Sequence, residues 1–307
     1  MLWAITSYFN PVGYASRLHN YRIFRANLAP PLAAVELSLN GQFELRRDDA
    51  EIVVQIAGGD VLWQKERLLN VALGRLPADC DQVAWLDCDV IFAAQDWAER
   101  ADHALREFHL IQLFRERCNL SRGARASSED NSACDSISES VAYKFAIGKA
   151  QADDFRQSDA PLARNSTTGL AWAARRDLLE VHGLYDACIL GSGDRAILCA
   201  AMGIFDYGVD AVGMRGRQIE HYLVWAEPFS RAVGGRVSFV DGRVLHLWHG
   251  DLKNRRYALR HEALGRFGFD PFTDIVLDPS GCWRWNGSKA EMHEYVRSYF
   301  ESRKEDG

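Results

Sequence analysis

Hydrophobic and polar positions change period along the first hundred residues, which predicts strands alternating with helices. Apolar runs of strand length occupy 2–7, 33–37, 51–56 and the segment that starts at 83, whereas apolar residues recur at helical spacing over 15–27 and 61–73. Strands separated by helical segments are typical of βαβ units around a mostly parallel sheet. The sequence therefore predicts a mixed α/β fold of this kind.

The later part of the chain continues both patterns around one irregular stretch. Helices are predicted over 94–108, 175–182, 194–202, 252–267 and 289–303, and strands over 109–113, 169–173, 237–240 and 244–247. Residues 118–140 are rich in Ser, Arg, Asp and Asn and follow neither period. That composition indicates a mobile surface loop, or a flap over a ligand. No stretch is typical of a linker, so a single main domain is expected.

Two aspartates interrupt the apolar segment 83–92. In a regular strand, residues two apart point to the same face, so Asp87 and Asp89 would lie together near the carboxyl end of the strand. Ligands of open α/β sheets bind at that edge. Mg²⁺ and Mn²⁺ prefer oxygen ligands, so this pair is a candidate metal site. The alternative is a turn with two solvated acids.

Composition and charge limit the class of protein without identifying it. The chain has 307 residues, of which 48% are hydrophobic and 25% are charged, as in an ordinary globular protein. Its net charge of -6 gives no overall attraction to nucleic acid or anionic lipid. The seven cysteines are odd in number and form no C-x-x-C pair, which predicts reduced thiols. With no apolar run of membrane length and no leader at residue 1, we expect a cytoplasmic protein.

A second group of polar residues follows the strand predicted over 244–247. His246 and His249 precede Gly250 and a cationic run that includes Lys253 and Arg255. Neutral imidazole is a ligand for Mn-like or Zn-like metals, and Lys and Arg suit phosphate oxygens. The segment is thus a candidate site for a metal-bound phosphate, or else the start of a helix with a solvated basic face.

A third group is glycine-rich and contains an acid. Asp194 follows Gly191, Ser192 and Gly193 at a predicted helix start, where glycine lets a ligand approach the backbone and the helix dipole keeps a carboxylate ionised. Asp194 is a candidate general base toward a hydroxyl, and also a candidate N-cap. Earlier in the chain, Lys65 and Arg67 are candidate phosphate contacts, or else part of a solvated helix face. No P-loop, G-x-S-x-G or G-x-G-x-x-G motif is present.

Taken together, these segments resemble the GT-A fold glycosyltransferases, which use nucleotide sugars and carry an Asp-x-Asp motif. The resemblance covers roughly residues 2–267, with the first strand, Asp87-Cys88-Asp89, the Gly-Ser-Gly-Asp segment and the late histidine segment in the expected order. The last two segments are similar to those of the β-1,4-galactosyltransferases. The sequence departs from that pattern where Arg195 follows Asp194 in place of a run of acids.

The resemblance implies a GT-A domain over 1–270, with a donor half over about 1–115 and an acceptor half over about 116–270, and a helical extension over 271–307. It implies Mn²⁺ or Mg²⁺, a UDP-sugar donor and a glycan or other hydroxyl acceptor, with inversion expected and retention left open. The expected residues are Asp87, Asp89, His249 and His246 for the metal; Thr6, Tyr8, Lys65, Arg67, Asp87, Lys253 and Arg255 for the donor; Trp172, Gly193 and Arg195 for the acceptor; and Asp194 as base.

Other functions remain open at this point. A sugar nucleotidyltransferase can share the sheet and the metal acids, although this chain has no N-terminal Gly-rich nucleotide loop. A non-catalytic module that binds nucleotide sugars or glycans is a third hypothesis. Hydroxymethylated DNA is a minority hypothesis for the acceptor, based on a basic surface formed by Arg255, Arg256, Arg260 and Arg266.

Overall fold

A computed structural model describes residues 1–124, 133–150 and 166–307, and two sheets organise these residues. The strands are β1 Leu2–Phe9, β2 Leu32–Ser38, β3 Ile52–Ala57, β4 Gln82–Leu86, β5 Val90–Phe92, β6 Leu110–Gln112, β7 Glu116–Leu120, β8 Cys134–Ser140, β9 Ser166–Thr167, β10 Ala171–Arg175, β11 Val237–Phe239, β12 Arg243–His246, β13 Ile275–Leu277 and β14 Trp283–Trp285. The helices are α1 Ala15–Ala26, α2 Lys65–Leu73, α3 Trp97–Leu105, α4 Val141–Ala146, α5 Arg176–His182, α6 Gly193–Ala201, α7 Phe205–Val212, α8 Arg217–Val233, α9 Tyr257–Gly265 and α10 Ala290–Ser302.

The main sheet has seven strands in the order β11-β6-β10-β4-β1-β2-β3. Strand β10 runs antiparallel to both of its neighbours, and the other pairings are parallel. This arrangement confirms the predicted α/β class with a mostly parallel sheet. Because β1 and β4 are adjacent and parallel, the loops that follow them emerge at the same edge.

Burial on both faces explains why the central strands are almost continuously apolar. Ile5 and Val83 face a core cluster on one side of the sheet, whereas Ala4 and Ala84 face a second cluster on the other side. All of these residues are fully buried. Helices α2 and α6 contribute to the first cluster, and helices α1 and α3 to the second.

The second sheet, in the order β5-β12-β7-β8-β9, was not predicted, and it positions the candidate metal site. Strand β5 follows β4 after three residues but pairs with β12, so that Val90 lies opposite His246. The backbone N–H of Leu247 also donates to the carbonyl of Asp89 at 2.8 Å. The two segments that were expected to hold a metal are therefore hydrogen-bonded neighbours, although they are far apart in sequence.

The loop predicted over 118–140 is partly wrong, because strands β7 and β8 occupy its two ends. Strand β8 is polar and mostly exposed or half-buried, whereas β7 buries Cys118 and Leu120 in a small cluster with Leu245 and Leu247, and the two strands pair with each other. Cys118 and Cys134 form a disulfide between β7 and β8, which corrects the expectation of reduced thiols for this pair. The flap predicted within 118–140 includes residues 125–132, which lie outside the described residues.

Two helices in the second half of the chain were not predicted, and one predicted helix is interrupted. Helix α8 has buried residues at helical spacing, but Pro228 within it is a residue that normally ends a helix. The helix predicted over 252–267 is a short 3-10 helix, Leu252–Arg255, followed by α9. Arg256 has a φ of 44°, a left-handed conformation that separates the two.

The C-terminal region packs onto the main domain. It consists of the hairpin β13–β14 and helix α10, which places Met292, Val296 and Phe300 in the core cluster beneath the main sheet. The boundary predicted at residue 270 stays a prediction. Among the described residues, no helix is both long and apolar enough to cross a bilayer.

Candidate functional site

The two aspartates of the Asp-x-Asp segment lie in a turn between the two sheets. Strand β4 ends at Leu86, and the segment 87–89 leads into β5 of the second sheet. The backbone N–H of Asp87 donates to the carbonyl of Leu170 at 2.8 Å, which anchors the turn to the start of β10. Because the chain leaves its first sheet here, the regular alternation expected of a strand does not apply. The two carboxylates accordingly take different partners.

Asp89 lies against both histidines of the late segment. Its Oδ2 is 3.3 Å from His249 Nε2, and its Oδ1 is 3.7 Å from His246 Nε2. The two Nε2 atoms are themselves 2.9 Å apart. Both imidazole rings are buried, and Asp89 is 15% exposed. The sequence left open which histidine would accompany Asp89, and the structure brings both to it.

Hydrogen bonding sets the protonation of His246. Asn119 Nδ2 donates to Ser136 Oγ at 2.7 Å, which turns Asn119 Oδ1 toward His246 Nδ1, also at 2.7 Å. His246 Nδ1 must therefore carry the proton, and its Nε2 presents a lone pair. Burial, and then the charge of Arg255, hold the pKa of His246 well below its usual range, so the ring is neutral.

The single Nε2 lone pair of His249 accepts a hydrogen bond from Arg255. Arg255 Nη2 lies 2.6 Å from His249 Nε2, and a guanidinium can only donate. Burial and the nearby cations hold the pKa of His249 well below its usual range. Neither Nε2 atom carries a proton, so the two histidines cannot form a hydrogen bond with each other through these atoms. Asp89 Oδ1 faces the same region and is buried with no hydrogen-bond partner among the described residues.

A divalent cation fits this donor set. The three candidate ligand atoms lie within 4.8 Å of one another. Ligands about 2.1 Å from one metal ion are roughly 3.0–3.4 Å apart at octahedral or tetrahedral angles, and the closest separations here are 2.9 Å and 3.3 Å. One carboxylate with two neutral imidazoles suits Mn²⁺ or Zn²⁺ better than Mg²⁺ or Ca²⁺. The donor set therefore has the chemistry of a metal site, in which a metal ion would take the place of Arg255 at His249 Nε2.

Asp87 takes part in a second cluster, through Lys65 at the start of α2. Lys65 Nζ lies 2.6 Å from Asp87 Oδ1 and 2.7 Å from Asp194 Oδ2, and its side chain is 11% exposed. Burial raises the pKa of Asp194, and Lys65 opposes that rise. Asp194 Oδ1 is buried without a hydrogen-bond partner among the described residues. One oxygen of Asp194 is thus held by a cation, and the carboxyl group also lies beside the indole of Trp85.

Glycines give Asp194 and its neighbours their space. A Cβ on Gly169 would lie 2.8 Å from Asp194 Oδ2. A Cβ on Gly193 would overlap the carboxyl group of Glu66, which is buried beside Lys65. Gly193, predicted as an acceptor contact, therefore has a packing reason to be glycine.

Several other predicted contacts lie in the core. Thr6 is fully buried and its Oγ1 donates to the carbonyl of Leu86 at 2.7 Å, which ties β1 to the end of β4. Tyr8 is also buried and donates to Glu44 at 2.8 Å. Trp172 is 2% exposed and stacks on Trp85. These placements give Thr6, Tyr8 and Trp172 structural roles, and their contact with a donor or acceptor stays a prediction.

The cationic residues that were predicted to contact the donor or acceptor lie in different places. Arg255 lies at the metal ligands, as described above. Arg67 pairs with Asp186 at 3.0 Å and joins α2 to the loop before α6. The side chain of Lys253 is 80% exposed and pairs with Asp251 at 3.1 Å. Arg195 is half-buried in the first turn of α6.

The basic surface considered for DNA is smaller than the sequence suggested. Arg255 and Arg260 are both buried, and Arg256 and Arg266 are exposed.

Asn119 is a site residue that the sequence did not reveal, because it lies in the stretch interpreted as a loop.

Comparisons with known proteins add only distant structural similarity. No family model and no curated protein sequence matches this chain. Among solved structures, TarS 1–349 from S. aureus in complex with UDP-GlcNAc is 10% identical with a TM-score of 0.38, over 98% of this chain and 72% of that one. Glucosyl-3-phosphoglycerate synthase from Mycobacterium tuberculosis, in complex with Mn²⁺, UDP and phosphoglyceric acid, is 15% identical with a TM-score of 0.41, over 94% and 88%.

A nucleotidyl-transfer enzyme is also among the similar structures. The 4-diphosphocytidyl-2C-methyl-D-erythritol synthase of Anaerococcus prevotii is 10% identical with a TM-score of 0.36, over 79% of this chain and 87% of that one. TM-scores at this level are too low to support a functional inference. The function is therefore inferred from the residues of the site.

Proposed function

We propose that this chain is a metal-dependent glycosyltransferase that moves a sugar from a UDP-sugar to a hydroxyl acceptor, with inversion. The observation that carries the proposal is the convergence of Asp89, His246 and His249 at the carboxyl edge of the sheet, where the Nε2 atoms of two neutral imidazoles and a buried carboxylate oxygen meet. Ligand sites of open α/β sheets lie at this edge. The proposed ligands are these three residues.

The chemistry of glycosyl transfer suits such a site. When bound, Mn²⁺ would offset the negative charge that develops on a diphosphate leaving group, a contribution of several kcal/mol. Arg255, already at His249, adds a guanidinium that can donate charge-assisted hydrogen bonds to phosphate oxygens. Asp87, on the far side of the turn, is assigned to the donor ribose.

Asp194 is the proposed general base. Its Oδ2 is held by Lys65, and we assign its buried Oδ1 to accept the proton of an acceptor hydroxyl when an acceptor is bound. Lys65 favours the ionised form, and burial makes that carboxylate a stronger base than one in water. General-base assistance of this kind contributes about 10²- to 10⁴-fold in rate. The acceptor is proposed to be a glycan or another hydroxyl compound.

The test is hydrolysis of UDP-sugars with added Mn²⁺ in the wild type and in Asp89→Asn. A bound metal contributes several kcal/mol, so we expect the variant to lose on the order of a hundredfold or more of the metal-dependent rate. Asp177→Asn is the matched control, since Asp177 pairs with Arg175 at the opposite edge of the sheet. Full activity of Asp89→Asn would refute the proposed metal site.

The same panel separates the other candidate functions. Consumption of a nucleoside triphosphate together with a sugar phosphate would identify a nucleotidyltransferase. Binding of UDP-sugars without turnover across a broad acceptor panel would identify a binding module.

A further inference from the structure

Residues 303–305 pack against the loop that carries the proposed metal-ligand histidines. Gly250, next to His249, has a φ of 88°, and a Cβ there would lie 2.9 Å from the carbonyl oxygen of Lys304 and 3.0 Å from that of Arg303. The carboxylate of Asp306 accepts hydrogen bonds at 3.0 Å and 2.8 Å from the first two backbone N–H groups of α1. We call residues 304–307 the tail. It is held between α1 and the site loop.

Within the tail, Glu305 lies between two arginines. Arg17 donates from Nε to Glu305 Oε2 at 2.6 Å and from Nη2 to Oε1 at 2.9 Å, a two-pronged contact. Arg303 Nε donates to Oε1 at 2.5 Å. Burial would raise the pKa of Glu305, but the two guanidinium groups outweigh it and lower that pKa to about 2. The carboxylate is therefore a buried anion, and the three groups together keep a net positive charge.

This arginine pair is near the proposed metal ligands. The backbone of Arg303 and Glu305 lies against Gly250, the residue after His249. Arg17 Nη1 donates to the carbonyl of Phe9, the last residue of β1, at 2.8 Å. Both arginines therefore lie at the carboxyl edge of the main sheet, beside the loop that carries His249.

We propose that Arg17 and Arg303 form a binding site for the diphosphate of the donor, and that Glu305 occupies this site until the donor displaces the tail. This inference rests on the proposed function. A planar guanidinium binds carboxylate and phosphate oxygens with the same two-pronged geometry, so a diphosphate can replace the carboxylate contact for contact. It also carries more negative charge than Glu305, which matches the net positive charge of the pair.

The test measures binding of inorganic pyrophosphate, without metal, to the full chain by calorimetry. In Glu305→Gln the side chain that competes with pyrophosphate for Arg17 and Arg303 loses its charge. A larger fraction of the protein is then able to bind pyrophosphate, and we expect the affinity to be about tenfold tighter or more. Adding Arg17→Gln to that variant should abolish the gain. Glu51→Gln is the matched control, because Glu51 pairs with Arg25 further along the same helix as Arg17. It should leave the affinity unchanged.

A structural role alone predicts the opposite result. If Glu305 only stabilises the fold, Glu305→Gln lowers the melting temperature and pyrophosphate binds no more tightly, and the proposal is overturned. A second measurement uses the wild type: trypsin cleavage after Lys304, followed by intact mass, should accelerate when pyrophosphate displaces the tail. An unchanged cleavage rate at saturating pyrophosphate also overturns the proposal, whether or not the variant folds.

Two further arms separate this inference from the proposed function. UDP should bind more tightly than pyrophosphate if the natural ligand is a nucleoside diphosphate, and equal affinities would assign the site to inorganic diphosphate. Asp89-dependent turnover of UDP-sugars, with no effect of Glu305→Gln on pyrophosphate binding, would remove only the tail inference. Tighter pyrophosphate binding without any sugar transfer would remove only the glycosyltransferase assignment.

Discussion

Replacing Asn119 by leucine should weaken metal binding although Asn119 is not a proposed ligand. Asn119 Oδ1 accepts the Nδ1 proton of His246 at 2.7 Å, which leaves His246 Nε2 free to bind a cation. In Asn119→Leu the metal-free protein can move that proton to Nε2, where it meets His249 Nε2 at 2.9 Å. Metal binding then has to return the proton to Nδ1, which is buried with no acceptor.

The expected size of the effect follows from that buried N–H group. An unsatisfied buried donor costs about 1–3 kcal/mol, and each 1.4 kcal/mol is a factor of ten in affinity. We therefore expect the Mn²⁺ dissociation constant of Asn119→Leu to rise by roughly 5- to 150-fold. Titration of Mn²⁺, with the free ion followed by electron paramagnetic resonance, measures this directly.

Two further variants test whether Asn119 controls the position of the proton on His246. Asn119→Asp keeps the acceptor and adds a negative charge, so its affinity should equal or exceed that of the wild type. Ser136→Ala removes only the hydrogen bond that orients the amide of Asn119, so a smaller loss is expected. A wild-type dissociation constant for a folded Asn119→Leu protein would refute the proposed tautomer control.

Three further predictions concern stability. Lys65→Met removes the buried ammonium group between two carboxylates and should lower the free energy of unfolding in urea by about 3–5 kcal/mol, whereas Arg100→Met at an exposed pair should change it by less than about 1 kcal/mol. Burial raises the pKa of Glu66 from 4.5 to about 8, so between these pH values the folded state keeps a proton that the unfolded state loses. The free energy of unfolding should therefore fall as pH rises through this window. Glu66→Gln should flatten that dependence on pH, and an unchanged dependence would contradict the assignment. Cys118→Ser with Cys134→Ser should lower the free energy of unfolding by about 3 kcal/mol, and a reductant should cause the same loss in the wild type and none in the variant.

Local patterns were sufficient where burial determines structure. Strands β1, β2 and β4 and helices α1 and α10 are close to their predicted ranges, because each buries a continuous or regularly spaced apolar face. Strands β7 and β8 were missed because their polar residues follow no such period. They form by pairing with partners that are distant in sequence, which no local window contains.

The candidate site shows the same division. Asp89, His246 and His249 each stand at the end of an apolar strand, and this position made them visible in the sequence. Asn119 had no such mark, because its role depends on the strand that lies beside β12. The polar tail gave no sign of burial, since Glu305 becomes buried only where Arg17 compensates its charge.

The sequence by itself determined the α/β class and which side chains can ligate a metal or carry charge, because hydrophobic period and side-chain chemistry are local properties. Tertiary structure alone decided which of these side chains meet. The change of sheet after Leu86 separates Asp87, which joins Lys65 and Asp194, from Asp89, which joins the histidines. The physical reason is that hydrogen-bonded pairing between distant strands sets these contacts, and one aspartate pair thereby serves two different clusters.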